Sequence, residues 1–416
     1  MASHTADDGS DLQAYLKKLF NVLNLEKRSD FPDFLQKFPY VNGGLFADEH
    51  PAPVFTAKSR KIIIECGALN WKEINPDIFG SMIQAVIHTE QRGSMGMHYT
   101  SVVNIMKVIE PLFLNGLYGS LEMAEGNENK LTKLLDRLYH LKVFDPACGS
   151  GNFLIIAYKE LCKLEIKIFK QLQDLDKKWE TAKSGLKLTQ FYGIELDDFA
   201  HETAKLSLWL AEHQMNLAFK EVFGDAKPTL PLSANGNIAC GNATQLDWDF
   251  VCPKSGEIEI VILGNPPYLG QKKQSKSQKN DLENIFSGFK GFKTLDYISC
   301  WFMKAVNYLE PKVKVAFVST NSIVQGSHVG LLWPILFRNN NAEIFFAHRD
   351  FPWSNSAKYN AGVTCVIVGL RNKSKNKKFI IDGNVKSEAK NINSYLVDFE
   401  NIIVSKRGKP ISNIPK

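Results

Sequence analysis

The sequence predicts an α/β protein, a largely parallel sheet covered by helices on both faces and preceded by a helical region. Three observations predict it. Up to about Leu141 apolar residues recur at helical spacing; from Lys142 short β-type runs alternate with helical segments to about Arg371; and each chemically suggestive motif lies just past a strand. Open α/β sheets bind ligands at that edge.

The first region contains "LQAYLKKLFNVLN", "PDIFGSMIQAVIHTE" and "SVVNIMKVIEPLFL", each with apolar residues on one helical face. Pro76 fits a first helical turn, and Pro111 predicts a bend or break in the last helix. Between them "PYVNGGLFADEHPAP" reads as a loop. The predicted strands are "KVFDPA", "FYGIEL", "NGNIACGN", "IEIVILGNPPY", "VKVAFVST", "NAEIFFAHRD" and "AGVTCVIVGL". Among them lie three amphipathic helices: "GNFLIIAYKELCKLEIKIFKQL", "DFAHETAKLSLWLAEHQMNLAF" and "TLDYISCWFMKAVNYLE". Past Arg371, "RNKSKNKK" is a charged turn before one further strand, "FIIDG", and a polar tail. The predicted divisions are 1–92, a helical spacer; 93–371, a catalytic domain; and 372–416, an edge strand and the start of a linker.

Composition narrows the class. At 416 residues, 44% hydrophobic and 23% charged, the chain supports one large core and a smaller one. No apolar run approaches a membrane span, and the polar start, Met1 to Asp11, lacks a signal-peptide stretch. The expectation is an intracellular, cytoplasmic protein. Seven scattered cysteines without a CxxC pair argue against a disulfide framework and against structural zinc, so no metal is expected. Most of them are expected to be buried. The net charge of +6 leans mildly toward polyanions. Lys272, Lys273, Lys276 and Lys279 crowd one polar stretch, "QKKQSKSQKN", which taken alone reads as a solubilising loop.

Two motifs carry chemistry. In "VFDPACGSGNF" a buried strand ends at Asp145, and Gly149 and Gly151 let the backbone approach a ligand before a helix begins near Asn152. A dinucleotide fingerprint would place a glycine at Leu154 and an acid about twenty residues on. The next strand-end acid, Glu195, comes 44 residues after Gly151, so a nicotinamide cofactor is disfavoured. Glu195 can accept from both hydroxyls of a ribose.

The second motif is Gly264-Asn265-Pro266-Pro267-Tyr268, after the apolar strand "EIVIL". Two prolines just past a strand impose a rigid, extended turn that displays Asn265 and the Pro266 carbonyl as acceptors. Two acceptors can hold an exocyclic amine and free its lone pair for an electrophilic methyl, without a metal or strong base. Tyr268 offers a face on which a planar base can stack.

With these motifs in this order, the sequence from about Gly93 to Leu370 resembles the amino-group, N6-adenine DNA methyltransferases that use S-adenosylmethionine. The motif order is that of their gamma arrangement. More narrowly, "FPYVNGGLF", "HYTSVVNIMKVIEPLFL", "LSLWLAEHQMN", "VSTNSIVQG" and "WSNSAKYNAGVTCVIVGL" resemble the MmeI-like (Type IIL) restriction–modification proteins. The resemblance implies a Rossmann-like class I methyltransferase sheet, mostly parallel with an antiparallel edge strand. It places Asp145, Ala147, Gly149 and Gly151 at the cofactor's amino-acid end, Glu195 at the ribose, and Tyr99 and Thr100 over the cofactor. Asn242 stands where many relatives carry an aspartate near the cofactor adenine, with Asp247 the alternative. Asn265, Pro266, Pro267 and Tyr268 match the catalytic tetrad, and Phe351, or Trp353, the aromatic beyond the flipped base. Residues 319–326 are expected to shape the base pocket, and the four lysines to meet the DNA backbone.

The same resemblance implies a double-stranded DNA partner, adenine flipping, and a role in restriction–modification or phage defence in a bacterial or archaeal cell. It also implies a longer parent chain, with a target-recognition domain after this one and, in relatives, a nuclease before it. The ExK triplet Glu165-Ile166-Lys167 lies in a helical run and reads as a solvated face rather than a nuclease site. Two other readings use the same tetrad or fold: a glutamine methyltransferase acting on release factors, and an inert DNA- and cofactor-binding module.

Overall fold

The computed structural model describes residues 1–41, 46, 52–69, 100–176, 178–179, 183–225, 236–339, 341–352 and 364–403. The helix expected at "PDIFGSMIQAVIHTE", with Pro76, and the positions Tyr99 and Trp353 lie outside them, as does most of the loop before Pro53.

The helical region contains α1 (Leu12–Asn24) and α2 (Ala57–Gly67), with a small core of Leu12, Tyr15, Leu16, Leu19, Val22 and Leu35. Then come α3 (Val102–Ile109), α4 (Asn115–Ala124) and α5 (Glu128–His140). Pro111 does not break the α3–α4 run. Residues Glu110–Leu114 form a π-helical turn that accommodates it, because widening the turn relieves the clash of the proline ring with the preceding carbonyls.

The sheet follows as β1 (Lys142–Asp145), α6 (Asn152–Leu175), β2 (Phe191–Glu195), α7 (Asp198–Phe223), β3 (Asn237–Cys240) and β4 (Ile260–Gly264). After β4 come α8 (Lys276–Ile285), α9 (Ser299–Tyr308), β5 (Val313–Thr320), α10 (Gly326–Asn339), β6 (Ala342–Pro352), β7 (Thr364–Asn372), β8 (Lys378–Asp382) and β9 (Val385–Ala389). The spatial order is β3-β2-β1-β4-β5-β7-β6-β8-β9. Strands β7 and β9 run antiparallel to their neighbours; all other pairings are parallel. The antiparallel edge strand is β9, and β7 adds an antiparallel strand inside the sheet.

Each strand divides its side chains between two cores, as a period of two requires. Val261 and Leu263 of β4 face the core built with α3–α7, whereas Ile260 and Ile262 face the core built with α9 and α10. All eight strands predicted from sequence are present. Strand β9, "VKSEA", was not predicted, because four of its five residues are exposed and it has no apolar face to read. It continues the sheet past residue 372, and Ile392 and Leu396 beyond it join the second core.

Five of the seven cysteines are buried, Cys66 and Cys240 are exposed, and none is in a disulfide. Glu165 corrects one expectation. It is not on a solvated face: it is 1% exposed and accepts from Ser184 Oγ and the Gly185 amide, both at 2.7 Å. A helical period places a residue on a face but does not say whether a returning loop covers that face. No helix of the described residues is long and apolar enough to cross a membrane.

Charges stitch the antiparallel half together. Glu343 on β6 is buried and receives Arg371 Nε of β7 at 2.8 Å and Lys378 Nζ of β8 at 2.9 Å. Removing the carboxylate strands two cations at 9% and 13% side-chain exposure. Glu343→Ala is expected to cost about 3–5 kcal/mol, read as a lowered denaturant midpoint, since loss of one partner leaves a buried charge uncompensated. A shift under about 1 kcal/mol would mean that water reaches these groups, as at a surface pair.

Candidate active site

Strands β1, β2 and β4 are adjacent and parallel, so their loops converge at one edge of the sheet, the candidate cleft. Val143 and Phe144 of β1 are fully buried, so the strand delivers Asp145 to the sheet edge without exposing it. Asp145 Oδ1 accepts from the Ala147 amide at 3.0 Å, while Oδ2 is buried and without a hydrogen-bond partner among the described residues. Burial pushes this carboxyl up to about 8, against the Ala147 hydrogen bond, and the neighbouring Glu195 adds repulsion.

The glycines have distinct duties. Gly149 adopts φ 55° and donates its amide to Glu195 Oε2 at 2.8 Å, joining the β1 loop to the end of β2. Glu195 Oε1 accepts from the Asp197 amide at 3.0 Å; burial nonetheless raises its carboxyl above the usual range. Gly151, at φ 85°, precedes α6, and a Cβ there would sit 3.3 Å from the Ala204 Cβ of α7. Gly264 closes the arrangement. A Cβ on it would lie 2.5 Å from Asp145 Oδ1, so the β4 turn can pass Asp145 only as glycine.

Beyond Gly264, Asn265 Nδ2 donates to Thr100 Oγ1 at 3.4 Å, across 165 residues of sequence. Thr100 is 4% exposed and lies just before α3. Asn265 Oδ1 is buried and accepts no hydrogen bond among the described residues. Pro266 is buried, and Tyr268 is half-buried against the second core. Burial pushes the Tyr268 phenol well up, with Cys365 and Asp296 contributing.

The remaining predicted residues are more dispersed. The Gly241 amide donates to the Glu195 carbonyl at 2.7 Å, setting Asn242 beside the cleft. Asp247 is exposed and accepts from the Asp249 amide, capping a one-turn helix, Trp248–Val251. Phe351, at the end of β6, is 9% exposed, and Lys107 Nζ of α3 stands 4.3 Å from its ring centroid. Its face is therefore covered in this structure. Lys272, Lys273, Lys276 and Lys279 are all exposed, the latter two on the first turn of α8.

Three supports escaped the sequence reading. Trp301 Nε1 of α9 donates to the Pro146 carbonyl at 3.0 Å, pinning the β1 loop from below. Asp296 Oδ1 accepts from the Leu269 amide at 2.8 Å and the Ile298 amide at 3.2 Å, fixing the chain after Tyr268. Its own amide donates to His328 Nε2. An acid just before the apolar run "YISCWFM" is a helix-start signal that could have flagged it. Asp281, buried on α8, had no such signal.

The domain described as "MmeI, DNA-methyltransferase domain" matches residues 121–382, and the one described as "MmeI, helicase spacer domain" matches residues 1–46. The chain belongs to the MmeI DNA-methyltransferase family. A protein of Bacillus subtilis (strain 168) named DNA methyltransferase A is 53% identical over 99% of this chain and 47% of its own length. A Methanocaldococcus jannaschii protein described as a type II restriction enzyme and methyltransferase is 30% identical over 65% of this chain and 28% of its own. The solved structure of the Type IIL restriction–modification enzyme MmeI in complex with DNA superposes with a TM-score of 0.91 at 40% identity. It covers 99% of this chain and 56% of that one, so this MmeI-type chain spans about half the length of such relatives.

Two expectations follow for the cleft. Asp145 prefers its proton when folded, so its contribution to stability is fully present below its ordinary value of 3.8 and is lost as pH rises toward about 8. Asp145→Asn keeps the acceptor for Ala147 and removes the buried charge. Its melting temperature is expected to exceed the parent's at pH 8.5, with the gap narrowing toward pH 5; a pH-independent gap would contradict this origin. Gly264→Ala is expected to displace Asp145 and to destabilise by about 1–3 kcal/mol, the range for overpacking. A mutant as stable as the parent would show that the turn can yield.

Proposed function

We propose that this chain transfers a methyl group from S-adenosylmethionine to the exocyclic N6 of an adenine flipped out of duplex DNA. The observation that carries it is the Asn265 amide: its N–H end is engaged by Thr100 and its oxygen is buried at the sheet edge with no donor among the described residues. A buried acceptor left without a donor is costly unless a ligand completes it. The two N–H groups of an exocyclic amine suit that oxygen and the Pro266 carbonyl.

The residues present fit the cofactor. Asp145 Oδ2, also buried and without a partner among the described residues, and the turn through Gly149 and Gly151 suit its amino-acid end. Glu195 spends one lone pair of each oxygen on a backbone amide and keeps others for ribose hydroxyls. Thr100, with Tyr99 before it, would cover this side, and Asn242 or Asp247 would approach the adenine end. When bound, the cofactor supplies a methyl group on a sulfonium, an electrophile for the amine.

The chain's own residues then position and polarise. Asn265 and Pro266 hold the amine and draw its nitrogen toward a tetrahedral shape, so that its lone pair is presented and its proton is lost only after transfer. Tyr268 stacks on the base and offsets part of the few kcal/mol that flipping costs. Phe351 or Trp353 would take the other face, and for Phe351 this requires α3 and Lys107 to move aside. Lys272, Lys273, Lys276 and Lys279 meet phosphates without reading sequence. Target choice would belong to a recognition domain elsewhere in a longer parent chain, in a restriction–modification system of the cytoplasm. By itself this chain would bind duplex weakly.

Asn265→Ala tests the assignment. Tritium transfer from methyl-labelled cofactor to DNA, with the recognition region supplied in the full-length parent, is expected to fall about 10²–10³-fold or more, the scale for removing one preorganised polar group. Cofactor affinity, read calorimetrically, is expected to stay nearly unchanged, because only an acceptor for the target amine is removed. Loss of cofactor binding in this variant would put Asn265 in the wrong role. Label appearing in release factor rather than DNA would move the substrate to a glutamine amide.

A further inference from the structure

The helix that carries Lys276 and Lys279 is thinly seated. Of the ten residues of α8, only Asp281 and Leu282 are buried, and Ile285 packs partly buried against the second core, so the apolar seat of the helix is small. Asp281 is 3% exposed. Its Oδ1 accepts from Gln245 Nε2 at 2.8 Å; its Oδ2 accepts from Asn242 Nδ2 at 3.1 Å and from the Tyr297 hydroxyl at 2.7 Å. Among the described residues no lysine or arginine pairs with it, so the carboxylate is held by neutral donors alone.

Two of those three donors stand on the loop 242–247. That loop begins one residue after Gly241, whose amide is bonded to the Glu195 carbonyl. Asn242 is committed on its other side as well, since its Oδ1 accepts from the Thr244 amide at 3.0 Å and the Thr244 hydroxyl at 2.7 Å. The Asn242 amide thus has a fixed orientation, and Asp281 sets it. Stranding a buried carboxylate is expensive, so helix and loop keep these bonds and shift as a unit.

We propose that Asp281 is a positioning residue that locks the lysine-bearing helix α8 to the loop 242–247, so that duplex binding at the lysines and cofactor binding in the cleft reinforce each other. The proposal rests on the functional reading above. Phosphates that fix α8 also fix the loop beside Glu195, and a cofactor that orders the loop orders α8; linkage makes the effect reciprocal. A carboxylate that served stability alone would weaken both ligands when removed without altering how one changes the other.

The test measures that mutual effect directly. S-adenosylhomocysteine, which cannot react, is titrated into the chain at low salt, without duplex and with a 30-base-pair duplex at a concentration shown by fluorescence anisotropy to saturate it. The ratio of the two dissociation constants is expected to be roughly fivefold or more, the lower range of coupling between sites. In Asp281→Asn, which keeps shape and loses an acceptor, the ratio is expected to fall toward one. The exchange Asn242→Asp with Asp281→Asn rebuilds the pair with donor and acceptor reversed. It is expected to recover the ratio, because any direct effect of residue 242 on the cofactor enters both titrations equally. If Asp281→Asn does not fold, Tyr297→Phe removes one donor and is expected to lower the ratio in part. An unchanged ratio in these single variants, or a parent ratio of one, overturns the proposal. A parent that binds neither duplex nor S-adenosylhomocysteine overturns the functional reading itself.

Discussion

Asp145 is the point on which the cleft depends. A carboxyl at 0% exposure, given one amide and facing Glu195, resists ionisation, and the fold carries that cost at neutral pH. Its position dictates its neighbours. The β4 turn can pass only as Gly264, the β1 loop must curl back so that Ala147 reaches Oδ1, and Gly149 must enter the left-handed region to bond Glu195. Motifs 119 residues apart, counted from Asp145 to Gly264, are thereby one object.

The sheet makes this possible. Because β2, β1 and β4 are adjacent and parallel, their carboxyl ends open on one edge, and three loops converge there without a crossover intruding. The antiparallel β7 inserts between β5 and β6 and brings Phe351 to the same edge beside Cys365. Beneath the edge, polar ties hold the loops: Trp301 to Pro146, Asp296 to Leu269, and Asp281 to the loop 242–247. Such buried networks are fully useful only when each member is satisfied, and these side chains are nearly so. Asp145 Oδ2 and Asn265 Oδ1 are among the buried side-chain atoms left without a hydrogen-bond partner among the described residues, as are Gln171 Oε1, Gln274 Oε1 and Ser299 Oγ; the first two lie at the ends of β1 and β4.

The strands from β1 to β8 were legible because each is an apolar run bounded by turn residues, and the helices α6, α7 and α9 because their apolar faces repeat. Strand β9 was hidden, since an exposed edge strand needs only a neighbour to pair with. Helix α8 was hidden for a similar reason: its sequence is polar, and its seat is Leu282, the partly buried Ile285 and a carboxylate. Pro111 reads as a bend or break because the sequence cannot show that a wider turn will take up the strain.

By itself the sequence determined which residue types stand at strand ends, and so the groups on offer: glycines where a backbone must approach, an acid with lone pairs to spare, and an asparagine held before two prolines. Those are local properties, set by φ, by a missing N–H and by lone-pair count. Tertiary structure alone decided the pairings. Thr100 meets Asn265, Gly264 meets Asp145, Lys107 covers Phe351, and Glu165 is sealed by a returning loop, since each contact joins segments whose separation along the chain carries no periodic signal.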